Sequence, residues 1–428
     1  MIKNILAATV VLGGTAVVSA GPAPLGVDES ATVNPETGIR LPEGFKATVF
    51  ADEVGFVRHI VKADNGWLYG ALMRPKNRMG LVAMRDTDGD GDADETLYFG
   101  NKLRGTGIGI YDGYLYFGTD VSIMRWKLPE EGGIPTEKPE LIAHGFIEKR
   151  QHAAKSFALD GKGNLFVNVG APSNACMEKA RTKGSPGMNP CPILEDFGGI
   201  WRFSATEQNQ HQKDAEKYAT GVRNAVALDW NPHADGLYLA QHGRDQLAEF
   251  FPEHFTVEES AELPAEEFHR VDRGSDIGWP YSYYDHLQGK RMKMPEYGGD
   301  GTTESDIGQM PLAGFPGHWA PNDLLFMTSS KAPEPYKHGA FIAFHGSWNR
   351  APMPQQGYRV AFVPMDVAGK VTGKWVTFAD GFAGTQEIRS PRDAKHRPMG
   401  LAEDQDGSLY ISSLMSGGRV WKVSYEAN

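Results

Sequence analysis

Asp112-Gly113-Tyr114-Leu115-Tyr116 joins a tight-turn dipeptide to an apolar-aromatic strand. An Asp-Gly or Asn-Gly step supplies the positive φ angles of a short hairpin turn. The Leu-Tyr that follows suits a strand with a packed face. The chain repeats the phrase five more times, at Asn65-Gly66-Trp67-Leu68-Tyr69, Gly163-Asn164-Leu165-Phe166-Val167, Asp235-Gly236-Leu237-Tyr238-Leu239, Gly339-Ala340-Phe341-Ile342-Ala343 and Gly407-Ser408-Leu409-Tyr410-Ile411. The copies start 47 to 104 residues apart. Recurrence at blade-like periods predicts an all-β, six-bladed β-propeller. The alternative is a β-sandwich with ordinary hairpins, which six copies would make unusually large. In a propeller, polar loop residues distant in sequence meet at the axis, so the site is expected in the loops.

Residues 1–20 read as a secretory signal peptide, with Lys3, an apolar run to Val18 and a cut after Ala20. The run is too short for a stable membrane span, and no later stretch approaches 18 consecutive apolar residues. The expected location is periplasmic or secreted, without stable membrane insertion. Residues 21–40 read as a loose, Pro/Gly-rich lead-in, and 41–428 as a single catalytic propeller domain. Net charge is −11, or −12 without Lys3, which argues against nucleic acid and anionic membranes. Cys176 and Cys191 are the two cysteines, and an exported chain is expected to join them. Closing that loop stabilises by roughly 3 kcal/mol on the chain-entropy model. No Cys-x-x-Cys-His is present, so no c-type haem is expected on this chain. Three excursions interrupt the strands: an exposed polar insertion at 205–217, a helical one at 247–268, and a Gly-rich loop at 286–310.

The acidic run at residues 86–94 places Asp86, Asp88, Asp90, Asp92 and Asp94 around two glycines. Alternate carboxylates around a Gly turn converge on one hard cation. Leu97 stands where an EF-hand needs Glu, so the expectation is a calcium-stapled hairpin, with a solvated acidic turn as the alternative. His152 sits among Lys149, Arg150 and Lys155, cations that favour the neutral imidazole a general base requires; a surface histidine is the plain alternative. Arg223-Asn224 precedes an apolar stretch. A buried Arg needs an anion, which is either a ligand or an internal Asp. Gly278-Trp279-Pro280 is either a carbonyl-rich turn suited to calcium or a packing turn. Arg350, in the polar stretch after the fifth repeat strand, and Arg397, before the sixth repeat, mark an axial rim or surface salt bridges.

As an ordered set, these motifs resemble soluble pyrroloquinoline-quinone (PQQ)-dependent sugar dehydrogenases, nearest to the L-sorbosone branch. The resemblance runs from about Leu41 to Val423 and includes Gly221-Val222-Arg223-Asn224, Gly243-Arg244-Asp245-Gln246-Leu247, His318-Trp319-Ala320-Pro321 and Arg397-Pro398-Met399-Gly400. It implies a six-bladed fold with His152 as catalytic base. Arg223 and Asn224 would contact the quinone and its carboxylates, joined by Lys155, Arg350 and Arg397. The carbonyls of Gly278 and Pro280 would hold a catalytic Ca2+. The glutamine after the first blade of glucose-oxidising members has no clear counterpart around Arg104-Gly105-Thr106-Gly107, which leaves the sugar open.

The implied activity is oxidation of an aldose or ketoaldose by hydride transfer to PQQ, with His152 removing the hydroxyl proton. Arg223 and the other cations would stabilise charge on the reduced ring. The implied partners are a small sugar substrate and a separate electron acceptor, a soluble cytochrome or quinone. A calcium-dependent propeller lactonase and a non-catalytic binding propeller are the rival readings.

Overall fold

The structure is a computed structural model that describes residues 25–415 and 417–426. The expected signal peptide at 1–20 lies outside the described residues. Six sheets, each built on four antiparallel strands, make a six-bladed propeller, and each repeated phrase leads into or opens the second strand of one blade. In blade 2, Gly105–Tyr111 turns into Tyr114–Thr119 through Asp112 and Gly113, both at positive φ (50° and 76°). The innermost strands are Val57–Lys62, Gly105–Tyr111, Phe157–Leu159, Ala227–Asn231, Pro321–Phe326 and Pro398–Glu403. Blade 6 is completed by the start of the chain: Phe45–Asp52 pairs antiparallel with Arg419–Tyr425 and closes the ring.

Each phrase is apolar on both faces because each blade is covered on both sides. Leu115 and Phe117 pack toward blade 1, beside Tyr69 and Phe99, while Tyr116 packs toward blade 3, beside Val167 and Trp201. This is the strand's period of two, spent on two neighbours rather than on core and solvent. Six clusters follow, one between each pair of adjacent blades.

Several sequence expectations are corrected. The lead-in is docked rather than loose over residues 25–40. Ile39 is buried, the Trp421 indole donates to Thr37 O at 2.9 Å, and Arg40 grips Asp380 through two bonds of 2.7 and 2.8 Å. Residues 205–217 are not simply exposed: Gln210–His211 pairs in parallel with Glu140–His144, and Glu216–Thr220 is a strand of blade 3. The 247–268 excursion holds two short helices, Leu247–Phe250 and Val257–Glu262, the second closed by a Thr256–Glu259 capping box. Its last residues already belong to the strand Glu266–Val271. The 286–310 loop contains half of a hairpin, Ser282–Asp285 with Lys290–Lys293. Cys176 and Cys191 form the expected disulfide, with Cα atoms 6.2 Å apart.

Candidate functional site

The six innermost strands run away from one end of the propeller, so the segments entering the blades converge there. They enclose an axial cavity of about 900 Å³. Arg58, Gly105, Val226, Asn322 and Met399 line it from the beginnings of five blades. The repeated hairpins lie at the opposite end.

His152 reaches this cavity from the segment joining blades 2 and 3, with its own backbone at φ 53°. Its Nδ1 lies 2.6 Å from Ala171 O. A carbonyl only accepts, so Nδ1 carries the proton and Nε2 keeps its lone pair. Burial, reinforced by the Arg223 guanidinium, holds the imidazole well below its ordinary range, so the ring is neutral at pH 7. Burial and Arg223 therefore do what the sequence reading ascribed to the flanking cations. Asn224 lines the same cavity. Its Oδ1 accepts from Asn168 Nδ2 at 3.2 Å, and its Nδ2 lies 3.4 Å from His242 Nδ1. His242 Nε2 in turn donates to Pro321 O at 2.8 Å, and burial pulls this ring down to about 4. His345 is the third ring on the wall, with Nδ1 donating to Pro398 O at 3.2 Å and its pKa also driven down by burial.

The other expected cofactor residues stand elsewhere. Arg223 is buried behind His152. It pairs with Asp245 at 3.0 Å and donates to Asn174 O and Oδ1 at 3.1 and 2.9 Å. This is the internal ion pair, one of the two outcomes open from sequence. Burial pushes the Asp245 carboxyl up, but Arg223 and other cations overcome it and hold it at about 2. Lys155 is fully buried behind the cavity wall, donating to Ala153 O at 2.7 Å, and burial lowers it to about 8. Arg397 supports the wall from outside, donating to His345 O at 3.0 Å and Gly346 O at 2.6 Å. Arg350 is a correction: it is spent on Glu262 at 2.5 Å and on the carbonyls of Ala261, Gly317 and Pro354, so it does not line the cavity.

Gly278 and Pro280 do not line the cavity either. The Gly278 carbonyl already accepts from Tyr281 N and Ser282 N, at 2.9 and 3.0 Å. Trp279 packs beside the disulfide and donates to Asn174 O at 3.0 Å, so this is a packing turn outside the cavity. In the acidic run, carboxylate oxygens of Asp86, Asp88 and Asp94 converge within 4.8 Å, whereas Asp90 and Asp92 do not join them. Asp90 Oδ1 instead accepts from the Asp92 N–H at 2.9 Å. This loop follows the third strand of blade 1, Met79–Arg85, and so lies at the end away from the cavity.

Sequence reading did not place four cationic side chains that line the cavity, Arg58, Arg104, Lys149 and Arg150; Asp120, 3.3 Å from Arg104, and Glu148 line it too. Burial, with Lys155 nearby, pulls Lys149 down to about 6. Burial also lowers Arg58, whose Nε is enclosed without a partner among the described residues. A positional signal was available. Arg58, Arg104, His152 and Asn224 each precede a repeated phrase by seven to eleven residues, the length of one innermost strand and its approach. A chamber of this size, with more cations than carboxylates on its wall and a buried guanidinium nitrogen lacking a partner among the described residues, fits a planar polycarboxylate such as PQQ.

The same architecture recurs in solved structures. A Trichoderma reesei carbohydrate-active enzyme of family AA12 superposes with a TM-score of 0.73 at 17% identity, covering 90% of this chain and 97% of that one. The holo form of the pyranose dehydrogenase PQQ domain from Coprinopsis cinerea gives 0.71 at 18% identity, covering 90% and 97%. At these identities the likeness is one of fold. An uncharacterized protein of Borreliella burgdorferi is 25% identical over 280 residues, 65% of this chain and 62% of that relative. A pyrroloquinoline quinone-dependent pyranose dehydrogenase of Coprinopsis cinerea is 29% identical over 165 residues, 33% of this chain and 21% of that relative. The chain thus spans less than two thirds of either relative. A TrAA12-like model matches residues 293–426. The Glucose / Sorbosone dehydrogenase model matches residues 111–346, more than half of the sequence, and the chain belongs to that family.

Proposed function

We propose that this chain is a PQQ-dependent oxidoreductase that oxidises an aldose or ketoaldose of the sorbosone kind and passes the electrons to a separate soluble cytochrome or quinone. The observation that carries the proposal is the axial cavity, where the neutral His152 shares one chamber with Arg58, Arg104, Lys149 and Arg150. Family membership and the relatives named for PQQ support it. Export to the periplasm or beyond is part of the proposal, and the disulfide suits an oxidising compartment.

PQQ bound there would supply the acceptor for the two electrons leaving the sugar. Arg58 and Arg150 would hold its carboxylates through charge-assisted hydrogen bonds, joined by Arg104 and Lys149 on leaving Asp120 and the Gly170 carbonyl. A neighbouring anion would also return Lys149 to its charged form. His152 Nε2 takes the proton of the sugar hydroxyl, while Ala171 O keeps the ring in the required tautomer. The imidazolium formed is then stabilised by the same carbonyl. Asn224, braced by Asn168 and His242, offers a fixed amide at the wall. The Gly278 carbonyl already accepts two N–H groups and the turn does not line the cavity, so no step is assigned to calcium. A calcium ion is proposed only for Asp86, Asp88 and Asp94.

The test is reconstitution of the purified protein with PQQ and calcium, following dye reduction with a panel of aldoses and ketoaldoses. Sugar-dependent reduction that requires PQQ is the expected result. Lactone hydrolysis without PQQ would make the chain a hydrolase, and no response to either would make it a binding propeller.

A further inference from the structure

A second cavity, of about 700 Å³, opens on the same end of the propeller as the axial one, outside blade 5. Its size lies within the roughly 300–1,000 Å³ of ligand sites. Two tryptophans line it, Trp319 and Trp375, with ring centroids 5.4 Å apart and planes at 73°. Trp319 is buried and carries the Arg359 guanidinium 4.6 Å over its ring, whereas Trp375 is half-buried and presents the freer indole surface. The charges cancel: Arg40 is held by Asp380, and Arg359 lies 3.5 Å from Glu29. Hydrogen-bonding capacity remains. Gln356 Oε1 accepts from the Trp319 indole at 3.3 Å, and its amide nitrogen has no protein acceptor among the described residues. Arg359 donates Nε to Gly357 O and Nη1 to Thr377 Oγ1, leaving Nη2 without an acceptor among the described residues.

We propose that this cavity binds an uncharged saccharide chain, apart from the axial site. Charge neutrality disfavours anionic and cationic ligands. A half-covered indole suits the C–H face of a pyranose ring, and amide and guanidinium donors suit its hydroxyls. The two cavities are separated by Tyr358, which packs on Gly346, and by Arg397, whose guanidinium holds the His345 and Gly346 carbonyls. A glycan held outside blade 5 is therefore kept at the face where a sugar would enter the axial chamber. The inference extends the sugar reading above, but it is measured as binding without cofactor or turnover, so either can fail alone.

The experiment is calorimetric titration of the purified protein, without added PQQ, with cellohexaose, xylohexaose and maltohexaose. At least one should bind saturably with a Kd of about 1 mM or below. Trp375→Ala and Gln356→Ala should each weaken it about five- to tenfold. His152→Ala should bind like the wild type. No binding by any of the three overturns the proposal, as does wild-type affinity in both cavity variants. Should Trp375→Ala fail to fold, Gln356→Ala decides the matter by itself.

Discussion

Arg223 Nη2 lies 3.0 Å from Asp245 Oδ2, and this largely buried pair stands behind His152, whose pKa it influences from both sides. Removing one partner leaves a carboxylate short of its main counter-charge, a change that costs about 3–5 kcal/mol in buried pairs. Arg223→Ala should therefore lower the stability of the cofactor-free protein, as read by denaturant melts. An unchanged melt together with a 10- to 150-fold loss of PQQ affinity, roughly that of a charge-assisted bond, would make Arg223 a cofactor ligand instead.

His152→Ala should keep PQQ affinity and the fold but lose turnover by about 10²- to 10⁴-fold, the usual cost of a missing general base. Single-turnover kinetics with saturating PQQ reads this directly. Near-normal turnover on every sugar that the wild type oxidises would remove His152 from the chemistry.

Gly170 is the spacer between two cavity residues. A Cβ there would lie 2.6 Å from Asn224 Oδ1 and 2.8 Å from His152 Cβ. Gly170→Ala should displace both, at a stability cost of about 1–3 kcal/mol for overpacking. Turnover should fall by about 10²-fold, since small misplacements of reacting groups are that costly. A variant with wild-type kcat would show that the positions of His152 and Asn224 do not matter to the reaction.

The acidic loop should act on stability alone. Ala93, just before Asp94, donates to Phe50 O at 2.7 Å and so ties the loop to the strand that closes the ring. Chelating calcium should lower the melting temperature of the wild type but not of Asp88→Ala, and the rate per folded molecule should stay constant. Loss of rate at unchanged melting temperature would place the loop in the active site.

Buried histidines should set the acid limit of the fold. Burial pulls His59, His242 and His396 down to about 4, and it also lowers His152, His269, His318 and His345. The unfolded chain takes up these protons below about pH 6.5, where the folded chain resists them, so stability falls as pH drops through that window. Burial raises Asp229 to about 7 and Glu266 to about 8, and lifts Glu296 and Asp323, groups that gain stability as pH falls. Seven histidines outweigh four carboxylates, leaving a net loss toward acid. Denaturant melts at about pH 6.5, 5.5 and 4.5 measure it. Equal stability across the series would mean that the histidines are protonated in the fold.

The propeller was legible in the sequence because its cause is local. Each hairpin needs its own turn dipeptide, and each second strand needs apolar residues on both faces, so six blades leave six copies. His152 and Asn224 carried motif signals and stand at the cavity wall, and the cysteine pair was legible from a separation of 15 residues. Closure of blade 6 by Phe45–Asp52 was not, because it joins residues 367 to 380 positions apart and leaves no local mark. The destinations of the cations were decided by tertiary structure alone. Arg223, Arg350 and Arg58 look alike in sequence, yet Asp245 claims the first, Glu262 the second, and the third is enclosed at the cavity wall with its Nε lacking a partner among the described residues. A guanidinium's role depends on which anion the fold brings within hydrogen-bonding reach, and only the packed blades determine that distance.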